Sequence, residues 1–124
     1  MIAGVGIDNI EVERIKKQID GTTKFKENIF TEAEIKYCES KTNYAESFAV
    51  RFAAKEAFLK ALGTGWRDGL QFKDIEILND ELGKPKAYLH GKAKQIIMDN
   101  KLMNIQVSLS HIKKIATAIV IIEK

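Results

Sequence analysis

Residues 47–65, SFAVRFAAKEAFLKALGTG, place Lys55, Glu56 and Lys60 in a helix that otherwise has almost no polar residues. At about 100° per residue, Phe48, Phe52, Phe58, Leu59 and Leu62 share one broad face, and Lys55 stands in its middle. Glu56 and Lys60 run along the edge of that face, above Ala49, Ala53 and Ala57, while Val50, Ala54 and Ala61 cover much of the rest. A helix apolar nearly all round is buried. Charges on it must be paired, bound to metal or turned toward a ligand, because a lone buried charge costs too much. The chemistry of this chain is to be sought there.

The 124 residues make one domain, large enough for a core and small enough to gain from association. A hydrophobic share of 45% with 30% charged residues is that of a globular protein. The longest apolar run, residues 115–122, contains Thr117 and is too short to cross a bilayer. The start, MIAGVGID, lacks the basic region of a signal peptide. A single cysteine, Cys38, leaves no internal disulfide and no cysteine-based zinc site. These features predict a cytoplasmic protein with no membrane contact. The net charge of +3 is mild, with a local concentration at Arg14, Lys16, Lys17, Lys24 and Lys26. That cluster reads either as a solvated surface or as an attraction for an acidic partner.

Along the chain, residues 2–8 read as a strand with Gly4, Gly6 and Asp8 on one face, where glycines admit a close neighbour. A short helix follows, with Val12, Ile15 and Ile19 inward, and Gly21-Thr22-Thr23 breaks it. Thr31 and Glu34 form a capping-box signature for a helix to about Glu39. The long helix covers residues 44–62 and ends at Gly63. Residues 74–78 and 86–89 read as strands around a turn at 79–85, and 92–100 as a helix with Ala93, Ile96 and Ile97 inward. Ile105, Val107 and Leu109 alternate with polar residues, and Lys113-Lys114 turns the chain into a buried strand at 116–123. The predicted fold is α+β, a largely antiparallel sheet packed on the long helix.

Asp8 is open to two readings, a cap for the following helix with Glu11 as reciprocal partner, or a ligand. Glu56 can serve Lys60 as an i,i+4 partner, but that gain is only a few tenths of a kcal/mol and does not explain a charge on so apolar a helix. Two carboxylates with substrate phosphates are a usual way to hold Mg²⁺, and nearby lysines suit the phosphates. His111, at a strand end after VSLS, reads equally as a surface residue or a ligand contact, while His90 opens a helix as a surface residue. Gly63-Thr64-Gly65 follows a helix rather than preceding one, so it reads as a C-cap and not a phosphate cradle.

Four ordered segments, VGIDNIEVERI, RFAAKEAFLKALGTG, GKPKAYLHGKA and VSLSH, closely resemble the holo-[acyl-carrier-protein] synthases, the small bacterial class of 4′-phosphopantetheinyl transferases. The match covers essentially the whole chain. The resemblance implies that family's fold and its reaction, transfer of 4′-phosphopantetheine from coenzyme A to a serine of apo-acyl carrier protein, in support of fatty acid biosynthesis. It implies Asp8 and Glu56 as Mg²⁺ ligands, Lys60 at the pyrophosphate, and His111 with Lys60 among the catalytic residues. Coenzyme A contacts fall by the same resemblance on Arg51, Lys55, Gly63, Gly65, Lys84, Pro85 and Ser110. Carrier docking falls on Arg14, Lys17, Lys24 and Lys26, and a homotrimer with sites between subunits is implied.

Ile10 stands where larger transferases of the superfamily carry a further carboxylate, so a water takes that place. Gly21 and Asn28 stand where a basic docking residue would be unsurprising, which weakens the electrostatic attraction. Two other readings compete. A nucleic-acid-binding module needs stacking aromatics interleaved with arginine, whereas Tyr37, Tyr44, Trp66 and Tyr88 are scattered. A catalytically silent relative would not need Asp8, Glu56, Lys60 and His111 together.

Overall fold

A computed structural model of the chain describes residues 1–65 and 69–124. Trp66 therefore lies outside the described residues. The chain runs β1 (Ile2–Glu11), α1 (Val12–Gly21), α2 (Thr23–Ile29), α3 (Glu32–Glu39), α4 (Tyr44–Leu62), β2 (Ile75–Asn79), β3 (Pro85–Leu89), α5 (Gly91–Asp99), β4 (Asn104–His111) and β5 (Ile115–Glu123), with a short 3-10 turn, Phe72–Asp74, before β2.

The predicted α+β class holds, with every strand pair antiparallel, but the strands divide into two sheets. β5 lies between β1 and β4, and β2 pairs only with β3. The β5 ladder reaches Glu11, opposite Ile115, so β1 outlasts the strand expected at 2–8. Asp8 sits inside this ladder opposite Ala118. The residue preceding α1 is Glu11, and no side chain caps that helix. Asp8 is therefore not a cap: strand pairing holds its backbone three residues upstream of the helix.

α4 packs on the sheet through the glycine face of β1. A Cβ on Gly4 would meet the Ala61 carbonyl oxygen at 2.0 Å, and one on Gly6 the Ala57 carbonyl oxygen at 1.9 Å. Phe48, Ala49, Ala53, Ala54, Ala57 and Phe58 of α4 join Ala116, Ala118, Val120 and Ile122 of β5 in the core. The all-round apolarity of α4 follows, since α1, α3 and β2 cover its remaining sides. Gly63 ends it in the left-handed conformation, its N–H donating to the Leu59 carbonyl at 2.9 Å. The capping box forms at α3, where Thr31 accepts from the Glu34 N–H and Glu34 from the Thr31 N–H. α2 is an element the sequence reading did not anticipate: beyond the extended Thr22 the chain turns helical again, with Phe25 packed between Phe30 and Phe52.

Candidate active site

The close approach of β1 to α4 brings Asp8 and Lys60 together. Lys60 Nζ donates to Asp8 Oδ1 at 3.1 Å and to the Ile7 carbonyl at 3.0 Å. The Asp8 side chain is largely covered and that of Lys60 mostly exposed. Glu56, half-buried, lies one turn before Lys60 on the same helix row. Among the described residues no group of three His, Cys, Asp or Glu side chains is arranged to hold a metal. Two carboxylates such as Asp8 and Glu56 are of the type that suits a hard cation keeping waters and substrate oxygens, not a closed zinc site.

A second cluster forms on the other edge strand. His111, at the end of β4, places Nδ1 2.9 Å from Glu46 Oε2 in the first turn of α4. The contact is an ion pair when the imidazole is protonated, and it holds the Nδ1 edge of the ring against α4. Beside it opens a cavity of about 280 Å³ lined by Tyr37, Arg51, Asn79, Gly83, Pro85 and His111 among others. A larger cavity, about 540 Å³, lies between the start of α1 and Lys113-Lys114; it shares Asn43 with the smaller cavity and takes Glu46 as a lining residue.

The two clusters do not converge within one chain. Asp8 and His111 stand on opposite edges of the sheet, in rows two residues apart. Strand spacing and rise put their backbones about 12 Å apart, and α4 packs on the sheet between them.

Several expected ligand contacts turn out to be engaged inside the protein. Lys55 is wholly buried, and its ammonium donates to Glu34 Oε1 at 2.8 Å, to the Phe72 carbonyl at 3.0 Å and to the Ile75 carbonyl. All three of its hydrogens are used, so Lys55 is a core ion pair and not a coenzyme A contact. Burial pulls its pKa down from the ordinary lysine value, against the opposing pull of Glu34. Arg51 is also buried. Its Nε donates to the Ile77 carbonyl, Nη1 to the Ser47 carbonyl and hydroxyl, and Nη2 to Asn79 Oδ1. Even so, Arg51 keeps a wall of the smaller cavity.

Pro85 opens β3 on that cavity, while Lys84 is exposed, its N–H donating to Asp80 Oδ1. Ser110 is exposed opposite Thr117. Gly63 and Gly65, both at positive φ, follow α4 at its far end and do not line the cavity. Arg14, Lys17 and Lys24 are exposed. Lys26 is spoken for, paired with Glu39.

Sequence reasoning missed Glu46, Asn79 and the second role of Glu34. The capping-box pattern gave the Glu34 carboxylate one partner, and only the tertiary structure adds Lys55 and the Ile77 N–H at 2.9 Å. Glu46 in a first helical turn looks like an ordinary dipole partner, so nothing local sets it apart.

The family model of the 4'-phosphopantetheinyl transferase superfamily matches residues 4–118. A holo-[acyl-carrier-protein] synthase from Geobacter sp. (strain M21) is 46% identical over 125 residues, covering 100% of both chains. The crystal structure of holo-[acyl-carrier-protein] synthase from Neisseria meningitidis superposes with a TM-score of 0.91 at 32% identity, covering 100% of both chains. The enzyme from Bacillus anthracis in complex with coenzyme A (3',5'-ADP) gives a TM-score of 0.82 at 40% identity, covering 100% of this chain and 98% of that one. A match of this length and identity, on a fold shared from end to end, establishes that the chain belongs to the holo-[acyl-carrier-protein] synthase family of the 4′-phosphopantetheinyl transferase superfamily.

Proposed function

We propose that this protein transfers the 4′-phosphopantetheine arm of coenzyme A to a serine of apo-acyl carrier protein, with Mg²⁺, releasing adenosine 3′,5′-bisphosphate. The observation that carries the reading is the pairing of Asp8 with Lys60 at 3.1 Å, one helical turn beyond Glu56 on the same row of α4. In a member of this family, two carboxylates and a lysine suit a metal and a pyrophosphate.

Asp8 and Glu56 are the residues that would hold the cation, and a bound cation would supply charge neutralisation for the pyrophosphate and the leaving bisphosphate. Lys60 is long, exposed and already turned toward Asp8, so it adds positive charge to the same phosphates. The carrier serine Oγ attacks the phosphorus that bears the pantetheine arm. The bond from that phosphorus to the bridging oxygen breaks, and the bisphosphate leaves with the electron pair. The serine proton goes to a water at the site, or through that water to Glu56. Such a transfer asks chiefly for positioning and charge neutralisation. His111, its Nδ1 fixed by Glu46, offers Nε2 to the co-substrate from the second cluster.

Because Asp8 and His111 lie on opposite edges of the sheet, a complete site needs the Asp8 edge of one copy against the His111 edge of another. A homotrimer with three such clefts satisfies this. The sheet face away from α4 supports association, since Val5 and Ile7 are 53% and 56% exposed there. A cavity of about 280 Å³ falls just below the roughly 300–1,000 Å³ of a self-contained ligand pocket, as expected of half a site. Arg14, Lys17 and Lys24 give the carrier's acidic surface a landing area. Among the described residues no helix is long and apolar enough to cross a membrane. The reading assigns the reaction to fatty acid biosynthesis in the cytoplasm.

The test is mass spectrometry of an apo-acyl carrier protein incubated with this protein, coenzyme A and Mg²⁺. The carrier should gain one phosphopantetheine group, and chelation of the metal should stop the gain. A carrier of unchanged mass at saturating coenzyme A and Mg²⁺ would refute the reading.

A further inference from the structure

The β2–β3 hairpin is not hydrogen-bonded to the main sheet, yet its turn forms one wall of the cavity beside His111. Something must hold that wall in place. Asn79, the last residue of β2, stands opposite Pro85, the first of β3. Its Oδ1 accepts from Arg51 Nη2 at 2.7 Å, and its Nδ2 donates to the Gly83 carbonyl at 3.1 Å. One amide thus ties the turn to α4.

Both ends of this tie are firm. Arg51 is fixed by the Ile77 carbonyl and by Ser47, and its guanidinium lies 4.4 Å from the centre of the Tyr37 ring. A guanidinium carries five N–H donors, and four are engaged by these partners and Asn79, so one Nη2 hydrogen is left at the cavity wall. The turn itself is closed by Asp80, whose Oδ1 accepts from the N–H groups of Leu82 and Lys84, both at 2.9 Å. Gly83 takes φ +86, a conformation that a side chain there would strain. The turn is therefore rigid in itself but joined to the helix by few polar contacts.

We propose that Asn79 is a positioning residue for the co-substrate: it sets the distance between the 83–85 wall and His111, and aims the remaining Arg51 donor at an anionic group bound between them. This rests on the reading of that cavity as part of the coenzyme A site. An amide is the side chain for the task, because it accepts from a cation and donates to a carbonyl at the same time. Neither Asp nor Leu does both. Preorganising such a wall lowers the ordering cost of binding and does not touch the bond being broken, so its loss falls on binding rather than turnover.

Steady-state kinetics of Asn79→Ala and Asn79→Asp, with coenzyme A and carrier varied separately, test this. Asn79→Asp keeps the acceptor for Arg51 and replaces the donor to Gly83 with a charged carboxylate oxygen, which covers the case in which Asn79→Ala fails to fold. The expected result is a coenzyme A KM raised roughly tenfold, the size of one lost hydrogen bond. The kcat should stay within about twofold and the carrier KM should not move. A purely structural residue would lower the melting temperature and leave the coenzyme A KM alone. An unchanged coenzyme A KM in Asn79→Asp, with the wild type active, overturns the inference by itself. A wild type that neither binds coenzyme A nor modifies the carrier overturns the functional reading, and this inference with it.

Discussion

Lys55 Nζ lies 2.8 Å from Glu34 Oε1, and neither side chain has any solvent exposure. Glu34 also accepts from the N–H groups of Thr31 and Ile77, both at 2.9 Å, so one carboxylate joins α3, α4 and β2. Removing one partner leaves the other charge buried alone, which costs about 3–5 kcal/mol. Lys55→Met and Glu34→Gln should each lose stability of this order in urea denaturation. The double variant should recover a good part of it, because no charge then remains in the core. Losses that simply add would show that the two residues do not act as a unit.

Asp8→Asn and Glu56→Gln preserve volume and remove one negative charge each. Both should lower transfer beyond the roughly 10–100-fold that changes outside the ligand shell usually cost, and raise the Mg²⁺ needed for half-maximal rate. The Asp8→Asn melting temperature should hold, since Asn can still accept from Lys60 and Asp8 caps no helix. Near-normal turnover at saturating Mg²⁺ in either variant would remove that residue from the metal site.

A methyl group on Gly6 would stand 1.9 Å from the Ala57 carbonyl oxygen, where backbone meets backbone. Overpacking of this kind costs about 1–3 kcal/mol or more, so Gly6→Ala should unfold at lower denaturant concentration. It should also lose activity below its melting point, because β1 carries Asp8 to Lys60. Gly21→Ala, with nothing within 4 Å of the added Cβ, is the control and should be neutral or slightly stabilising.

Docking of the carrier should depend on salt more than coenzyme A binding does, because exposed charges are screened over about 10 Å at 0.1 M ionic strength. At fixed Mg²⁺, added salt should raise the carrier KM, and Arg14→Glu should imitate it. Lys26→Gln should have the smaller effect, since Lys26 already pairs with Glu39. A carrier KM indifferent to both salt and Arg14→Glu would place the docking surface elsewhere.

Glu76 links acid stability to the α3 cap. Burial raises its pKa, but hydrogen bonds from the Thr31 hydroxyl and the His90 ring prevail, and the carboxyl titrates below its ordinary value. A depressed native pKa gives stability that is present above the unfolded pKa and is lost as pH falls through the folded one. Stability should therefore fall from roughly pH 5 downward. Thr31→Val should lower stability by about 1 kcal/mol at neutral pH through the lost cap, and should make the acid loss shallower. An equally steep acid loss in Thr31→Val would exclude the Thr31–Glu76 bond as its source.

Local patterns carried much of the fold and part of the site. Thr31 and Glu34 announce the α3 cap because a capping box spans three residues, and Gly63 ends α4 because a left-handed C-cap needs no distant partner. The glycine face of β1 announced a close neighbour, which is α4. Asp8 misled as a cap, since the length of β1 is set by β5, more than a hundred residues away. The split of the strands into two sheets was hidden for the same reason: period-2 patterning reports a buried face, not which strand lies alongside.

The sequence by itself determined that α4 is buried and that its charges need partners, because side-chain periodicity and the cost of a bare charge are local matters. It also carried the family, through four ordered segments. Only the tertiary structure decided which partner each charge takes. Lys55 and Arg51 turn inward to Glu34, Asn79 and backbone carbonyls, while Lys60 turns to Asp8. The physical reason is that a charge on an apolar helix is satisfied by whatever polar atoms the fold brings within about 3 Å, and those atoms come from elements far away in the chain.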